Sequence, residues 1–226
     1  MIAGESFPAP CSAFLSASLS SESPMLKFDT IPVGLLSVNC YLLWNTQTLQ
    51  TYIIDPGAEA EKISARLQKL SLQPAAILLT HAHVDHIQAV PELSTQYHIP
   101  VWIHPGDLGL YLSPENALLP WIPATENLPQ PLTEAPKLEG LEFELLHTPG
   151  HSKGSVCFHF AADKLLFSGD TIFRGTHGRT DFPGGSQSEI IDSITNIIFK
   201  LPEETRLLPG HQEPSTVAAE KNNPMY

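Results

Sequence analysis

Apolar residues fall along this chain in short runs that stop at Gly, Pro or Asp, and stretches of helical period lie between them. In the first half the runs predict strands at about 26–31, 38–44 and 50–54. The last of these passes from Thr51-Tyr52-Ile53-Ile54 into the tight stop Asp55-Pro56-Gly57. Ile63, Leu67 and Leu70, at i, i+4 and i+7, mark one amphipathic helix, which Pro74 should end before a strand over 75–79. A helix over 87–97, perturbed in its early turns by Pro91, and a strand over 99–103 complete this half. From 105 to 136 the chain is Pro-rich, with a short helical candidate in which Ser113 caps and Pro114 takes the first position. Tyr111, Leu118, Leu119 and Trp121 in this insertion either line a pocket or pack down onto a sheet. The second half repeats the plan: strands over 141–146, 155–160 and 164–167, then a helix over 187–200. Ser186 and Glu189 form a capping box for that helix, and Ile190, Ile191, Ile194, Ile197 and Ile198 give it an apolar stripe. Periodicity by itself says mixed α and β.

The 226 residues suit one domain, expected over 25–226. Residues 1–24 are Ser- and Ala-rich, contain Pro8, Pro10 and Pro24, and hold no Lys or Arg, which suits neither a signal nor a transit peptide. They are expected to form a disordered extension. A net charge of −12 argues against a phosphate-binding surface, so nucleic acid is not the expected partner. No run approaches the roughly 18 apolar residues of a membrane span. Cys11, Cys40 and Cys157 are too few and too scattered for a disulfide framework, so a reducing, cytoplasmic setting is expected. Cys157, in the alternating stretch 155–160, reads as a buried, inert thiol.

Candidate chemistry changes the picture most at Thr80-His81-Ala82-His83-Val84-Asp85-His86, directly after the apolar run Ile77-Leu78-Leu79. Neutral imidazole and carboxylate are the usual ligands of zinc and related divalent cations. Three further ligand types each follow a strand-like run: His151 after His147-Thr148-Pro149-Gly150, Asp170 after Ser168-Gly169, and His211 after Pro209-Gly210. A short buried strand that ends in Gly or Pro-Gly and then presents His or Asp delivers ligands to one edge of a sheet.

The H-x-H-x-D-H cluster, Gly-His-Ser-x-Gly-Ser at 150–155, Ser-Gly-Asp-Thr at 168–171 and Pro-Gly-His at 209–211 resemble, in that order, the metallo-β-lactamase superfamily. The resemblance spans about Leu26 to Tyr226. Gly-Arg-Thr-Asp-Phe-Pro at 178–183 and the closing Pro-Gly-His are similar to the glyoxalase II-like branch, the hydroxyacylglutathione hydrolases, and to its persulfide dioxygenase relatives. The resemblance implies a four-layer αββα sandwich. It implies two divalent metal ions, Zn2+ first with Fe or Mn as alternatives: His81, His83 and His151 on one, Asp85, His86 and His211 on the other, and Asp170 bridging. Water on such ions ionises near pH 7, and the hydroxide would attack the carbonyl of a small thioester, S-lactoylglutathione being the archetype. Asp85 would also accept a proton. The alternative is an iron-dependent persulfide dioxygenase, which would hold its metal on some of the same residues. An aspartate at 170, where many zinc β-lactamases carry cysteine, argues against a β-lactamase.

Asp55 is either a plain turn residue or a partner behind a ligand. Lys153, Arg174, Arg179 and His177 are the candidate substrate contacts, although Arg179 and Asp181 are expected to pair and brace their own loop. His104 is a loop residue on the expected site side; His98, His147 and His159 are expected to be structural or exposed. Full-length glyoxalase II enzymes carry a helical, glutathione-binding domain after the last histidine, whereas here Gln212 to Tyr226 follow His211. Weak saturation by glutathione esters is therefore expected.

Overall fold

The computed structural model describes Met1 and residues 26–118 and 122–226. The expected extension over 1–24, and the expectations for Leu119 and Trp121, lie outside the described residues. The first sheet is built from β1 (Leu26–Val33), β2 (Val38–Asn45), β3 (Gln50–Ile54), β4 (Gln73–Leu78) and β5 (Val101–Trp102), paired in that order. Pairing is antiparallel through β3 and parallel from β3 to β5. Parallel neighbours need crossovers, and these carry α1 (Ala60–Lys69) between β3 and β4, then α2 (Val84–Ile87) and α3 (Val90–Tyr97) between β4 and β5. A short α4 (Leu108–Tyr111) follows. The second sheet contains β6 (Glu144–His147), β7 (Val156–Phe160), β8 (Leu165–Gly169), β11 (Arg206–Pro209) and β12 (Ser215–Thr216), ordered β12-β11-β8-β7-β6. A hairpin of β9 (Ile172–Phe173) and β10 (Thr176–His177) precedes α5 (Gln187–Asn196), and α6 (Val217–Lys221) follows β12.

Side chains alternate between the two faces of a strand, and here the alternation sorts single strands between separate cores. Leu42, Ile53 and Ile77 face α1 and α3, meeting Ile63, Leu67 and Leu93. Their neighbours Tyr41, Leu43, Tyr52, Ile54 and Leu78 face the other way and meet Phe158, Phe160, Phe167 and Leu208 of the second sheet. Cys157, Leu166 and Leu207 turn outward from that sheet onto Ile190, Ile194 and Ile198. Three cores between four layers give the αββα sandwich. Phe167 lies at the centre, fully buried, with edge contacts to Tyr41, Phe160 and Phe28 at ring centroid distances of 4.9, 5.7 and 5.9 Å. Phe167→Ala is expected to cost about 3–5 kcal/mol, read as a lowered denaturant midpoint at unchanged slope.

Several boundaries differ from the sequence expectation. The 87–97 helix is two helices, because Pro91 cannot donate a backbone bond and instead sits in the first turn of α3. Helix α1 stops at Lys69 without help from Pro74, which is already paired with Thr51 in β4; Ser71 with φ 55° makes the turn. Strands β5 and β6 are shorter than their apolar runs. The 187–200 helix breaks at Ile197, and a 3-10 turn follows over Ile198–Lys200. Only half of the capping box forms: the Ser186 hydroxyl accepts from the Glu189 N–H, while the Ser186 N–H donates to Gly150 O at 2.7 Å. No helix among the described residues is long and apolar enough to cross a membrane.

Candidate metal centre

Strand direction explains why residues far apart in sequence meet. β3 and β4 run parallel, so Asp55 and the 80–86 cluster leave the first sheet at the same end. β7 is antiparallel to both β6 and β8, and β11 is parallel to β8, so β6, β8 and β11 point one way and release His151, Asp170 and His211 together. The two ends face each other. Asn39 and Tyr41 of β2 tie them: the Asn39 side chain donates to Pro209 O and Gln212 O at 3.0 and 2.9 Å, and Tyr41 OH donates to Pro209 O at 2.7 Å. At position 210 a Cβ would stand 2.3 Å from Asp170 Oδ1, so only glycine lets the closing turn approach this closely.

His81, His83 and His151 bring ring nitrogens together. His151 Nε2 lies 3.2 Å from His81 Nε2 and 2.8 Å from His83 Nδ1. Asp85, His86 and His211 form a second group whose ligand atoms fall within 4.8 Å of one another, with His211 Nε2 at 3.2 Å from Asp85 Oδ2. Asp170 stands between the groups: Oδ1 is 3.3 Å from His86 Nε2, and Oδ2 is 3.6 Å from His151 Nε2 and 3.7 Å from His211 Nε2.

On His81, His86, His151 and His211 the opposite ring nitrogen is anchored, which assigns their tautomers. His151 Nδ1 donates to Arg179 O at 2.7 Å, and His211 Nδ1 to Leu36 O at 3.1 Å. His86 Nδ1 is 3.0 Å from Asp55 Oδ2. The Thr80 hydroxyl donates to Asp55 at 2.6 Å and accepts from His81 Nδ1 at 3.1 Å, so one carboxylate stands behind two rings. Of the two sequence readings of Asp55, a carboxylate touching a histidine describes its place. Asp55, His81 and His86 also present ligand atoms within 4.8 Å, while Asp55 Oδ2, His81 Nδ1 and His86 Nδ1 are engaged in these hydrogen bonds.

Burial, with His86 and His151 nearby, holds His81 well below the ordinary histidine range, and burial with His151 brings His83 to about 3. Both rings are neutral at pH 7 and offer lone pairs. Burial opposes charge on His86 and His211 as well, but Asp170 and Asp85 outweigh it and raise both. Asp170 and Asp85 are lowered in turn, the charges of His86 and His211 overcoming desolvation. A metal fits this donor set. Ring nitrogens of three histidines converge on one another, and His86 Nε2 and Asp170 Oδ1 are buried without a hydrogen-bond partner, a cost that a cation would remove.

A cleft of about 670 Å³ opens over the cluster. Leu36, Ala117, Leu118, Phe173 and Phe182 supply its apolar walls. Of the expected substrate contacts, His177 and Arg179 line it. Arg179 is held bidentately by Asp181 at 2.9 and 2.7 Å and lies 4.4 Å above the Phe182 ring. Lys153 and Arg174 do not line it: Lys153 borders a separate depression beside Gly106 and Pro183, and Arg174 is exposed at the turn between β9 and β10. Closeness to a ligand along the chain did not decide where their side chains sit. His104 also turns away, stacked on His147 at 4.3 Å. His159 is buried beside Glu144, and His98 closes α3 with φ 54°. Cys157 is fully buried and its thiol is pushed up to about 11, an inert group.

Sequence reasoning passed over Asp107. It is 1% exposed, and its carboxylate accepts from Ala82 N–H, Ser152 Oγ and Gly154 N–H at 3.0, 2.7 and 2.6 Å. Lying between Gly106 and the start of α4, it has the look of an ordinary helix cap.

Residues 33–211 match the model of the metallo-beta-lactamase superfamily. The chain is 36% identical over 205 residues to hydroxyacylglutathione hydrolase GloC of Haemophilus influenzae, covering 88% of this chain and 96% of that protein. Among solved structures it is similar to BLEG-1 B3 metallo-beta-lactamase, with TM-score 0.81, 36% identity, and 88% and 99% of the two chains covered. It is also similar to TTHA1623 in a di-iron-bound form, with TM-score 0.78, 40% identity, and 88% and 100% covered.

Proposed function

Because the chain belongs to the metallo-beta-lactamase superfamily, we propose that it is a dinuclear metallohydrolase whose substrate is a small thioester of the S-lactoylglutathione kind. The observation that carries this reading is Asp170, whose two oxygens face His86 on one side and His151 and His211 on the other. His81, His83 and His151 would hold one ion, Asp85, His86 and His211 the second, and Asp170 both. Bound divalent ions supply Lewis acidity and a water that ionises near pH 7 instead of near 15.7.

The protein's own part is orientation and charge. Asp55 and Thr80 fix the inward lone pairs of His86 and His81. Asp85, 8% exposed, lining the cleft and 3.2 Å from His211 Nε2, would take up a proton from the attacking water and pass it on as the thiol departs. The apolar walls exclude water from the acyl group, which strengthens every electrostatic interaction inside. Thiolate is a good leaving group and a soft ligand, and the name of the Haemophilus relative supports a glutathione thioester.

The thiol arm meets little charge. Arg179 is the one Lys or Arg among the described residues lining the cleft, and Asp181 neutralises it. Residues 1–25 and 119–121 contain neither Lys nor Arg. The glutathione carboxylates therefore have no free cation to bind, and remote binding energy is limited. S-lactoylglutathione should be hydrolysed with a Michaelis constant toward or above the ~1 mM end of the usual range, with coenzyme A esters accepted comparably. A micromolar constant with strict preference for the glutathione ester, in steady-state assays, would contradict this.

The deciding experiment is metal analysis of protein from unsupplemented medium, paired with thioester-hydrolysis, oxygen-uptake and β-lactam assays. Zinc near two per chain with thioester turnover supports the proposal. The alternative carried from the sequence, an iron-dependent persulfide dioxygenase, would give about one iron per chain and persulfide-dependent oxygen uptake. The di-iron form of TTHA1623 keeps iron among the candidate metals. Turnover of a β-lactam in preference to any thioester would also overturn the reading.

A further inference from the structure

We propose that Asp107 is a positioning residue that sets the spacing of the three-histidine site by clamping its two ligand loops together, an inference that rests on the metal-binding reading above. One loop carries His81 and His83, and the other carries His151. The Asp107 carboxylate takes the N–H of Ala82, which lies between the first two ligands, and on the same oxygen the hydroxyl of Ser152, next to the third. Its other oxygen takes the N–H of Gly154 at 2.6 Å. The second loop is braced within itself as well, since Ser155 Oγ accepts from Ser152 N–H at 3.0 Å and lies 2.7 Å from Ser152 Oγ.

The surroundings are shaped to this contact. A Cβ on Gly154 would lie 2.3 Å from Asp107 N and 2.8 Å from Asp107 Cγ, and a Cβ on Gly106 would lie 3.0 Å from Gly154 Cα. Two glycines thus let two backbones meet around one carboxylate. This gives Ser152, Gly154 and Ser155 of the Gly-His-Ser-x-Gly-Ser motif a shared purpose that ligation by His151 alone leaves unexplained. Asp107 touches no ligand ring, and no Lys or Arg pairs with it among the described residues. Its charge is met by two backbone N–H groups and a hydroxyl. Such a buried acceptor is costly to lose because the Ala82 and Gly154 N–H groups would be stripped of this bond in a buried place.

The residue acts on one metal position and not the other. In Asp107→Asn, one acceptor oxygen becomes an NH2 that faces either the Ala82 or the Gly154 N–H. Zn2+ affinity, measured by chelator competition, should fall about 10- to 100-fold in an His211→Ala background, where the three-histidine site is the one left intact. In an His81→Ala background, where Asp85, His86 and His211 remain, the same substitution should leave affinity unchanged within about threefold. Ser152→Ala removes one of the three bonds to Asp107, together with the contact between the Ser152 and Ser155 hydroxyls, and should give the same pattern with a smaller loss, so it decides the matter if Asp107→Asn does not fold. Equal losses in both backgrounds would reduce Asp107 to a general structural residue, and no loss in either would refute the clamp outright. If the unaltered protein takes up no Zn2+, the metal-centre reading falls and this inference with it.

Discussion

Asp170→Asn is expected to lower bound metal from about two ions per chain toward one and to cut thioester turnover by more than ~100-fold, the upper end of what a partner one step removed from the metal contributes. The carboxylate has an oxygen for each group of donors, with contacts of 3.3 Å on one side and 3.6 and 3.7 Å on the other. An amide keeps the shape but is neutral, and it turns one of those oxygens into a hydrogen-bond donor that cannot ligate. Two dications held about 3.5–4 Å apart need shared anions, and Asp170 is the carboxylate placed to be shared. Metal analysis with steady-state kinetics checks this. A variant that keeps two tightly bound ions and full activity would sink the dinuclear proposal.

Paired substitutions give the second large effect. His81→Ala should empty the three-histidine position, and His211→Ala the position beside Asp85, each with a loss of turnover of ~100-fold or more on the same scale. His81 is fully buried among three other imidazoles, whereas His211 is partly open to the cleft. His81→Ala therefore also leaves a void and should lower the melting temperature more. Equal loss of both ions in each variant would show that the two positions assemble cooperatively.

The clustering of these histidines and carboxylates was legible because each announces itself locally: an imidazole or carboxylate directly after a buried run, at a Gly, Pro-Gly or Thr stop. The layers were legible only through the resemblance that these motifs carry, since period-2 runs and two helical stripes by themselves say no more than mixed α and β. Asp55 was half legible. Asp-Pro-Gly describes a turn, and only the parallel pairing of β3 with β4 sets its carboxylate beside Thr80 and His86. Asp107 was not legible, because its donors lie 25 and 45 to 47 positions away along the chain and reach it through tertiary packing. Lys153 and Arg174 are close in sequence to candidate ligands, yet neither lines the cleft, and Lys153 borders a separate depression.

The histidines and carboxylates of the cluster come from opposite sheets: His81, His83, Asp85 and His86 from the first, His151, Asp170 and His211 from the second. Each ion would thus draw on both halves of the chain. Such a clasp makes metal supply a term in the folding equilibrium, because ions that bind the assembled sandwich and not its separated halves stabilise it by about 4 kcal/mol per site at a thousand times the dissociation constant. Starving the protein of metal would then loosen the seam between the sheets before it touched either sheet alone, so that scarcity would lower the amount of protein as well as its activity.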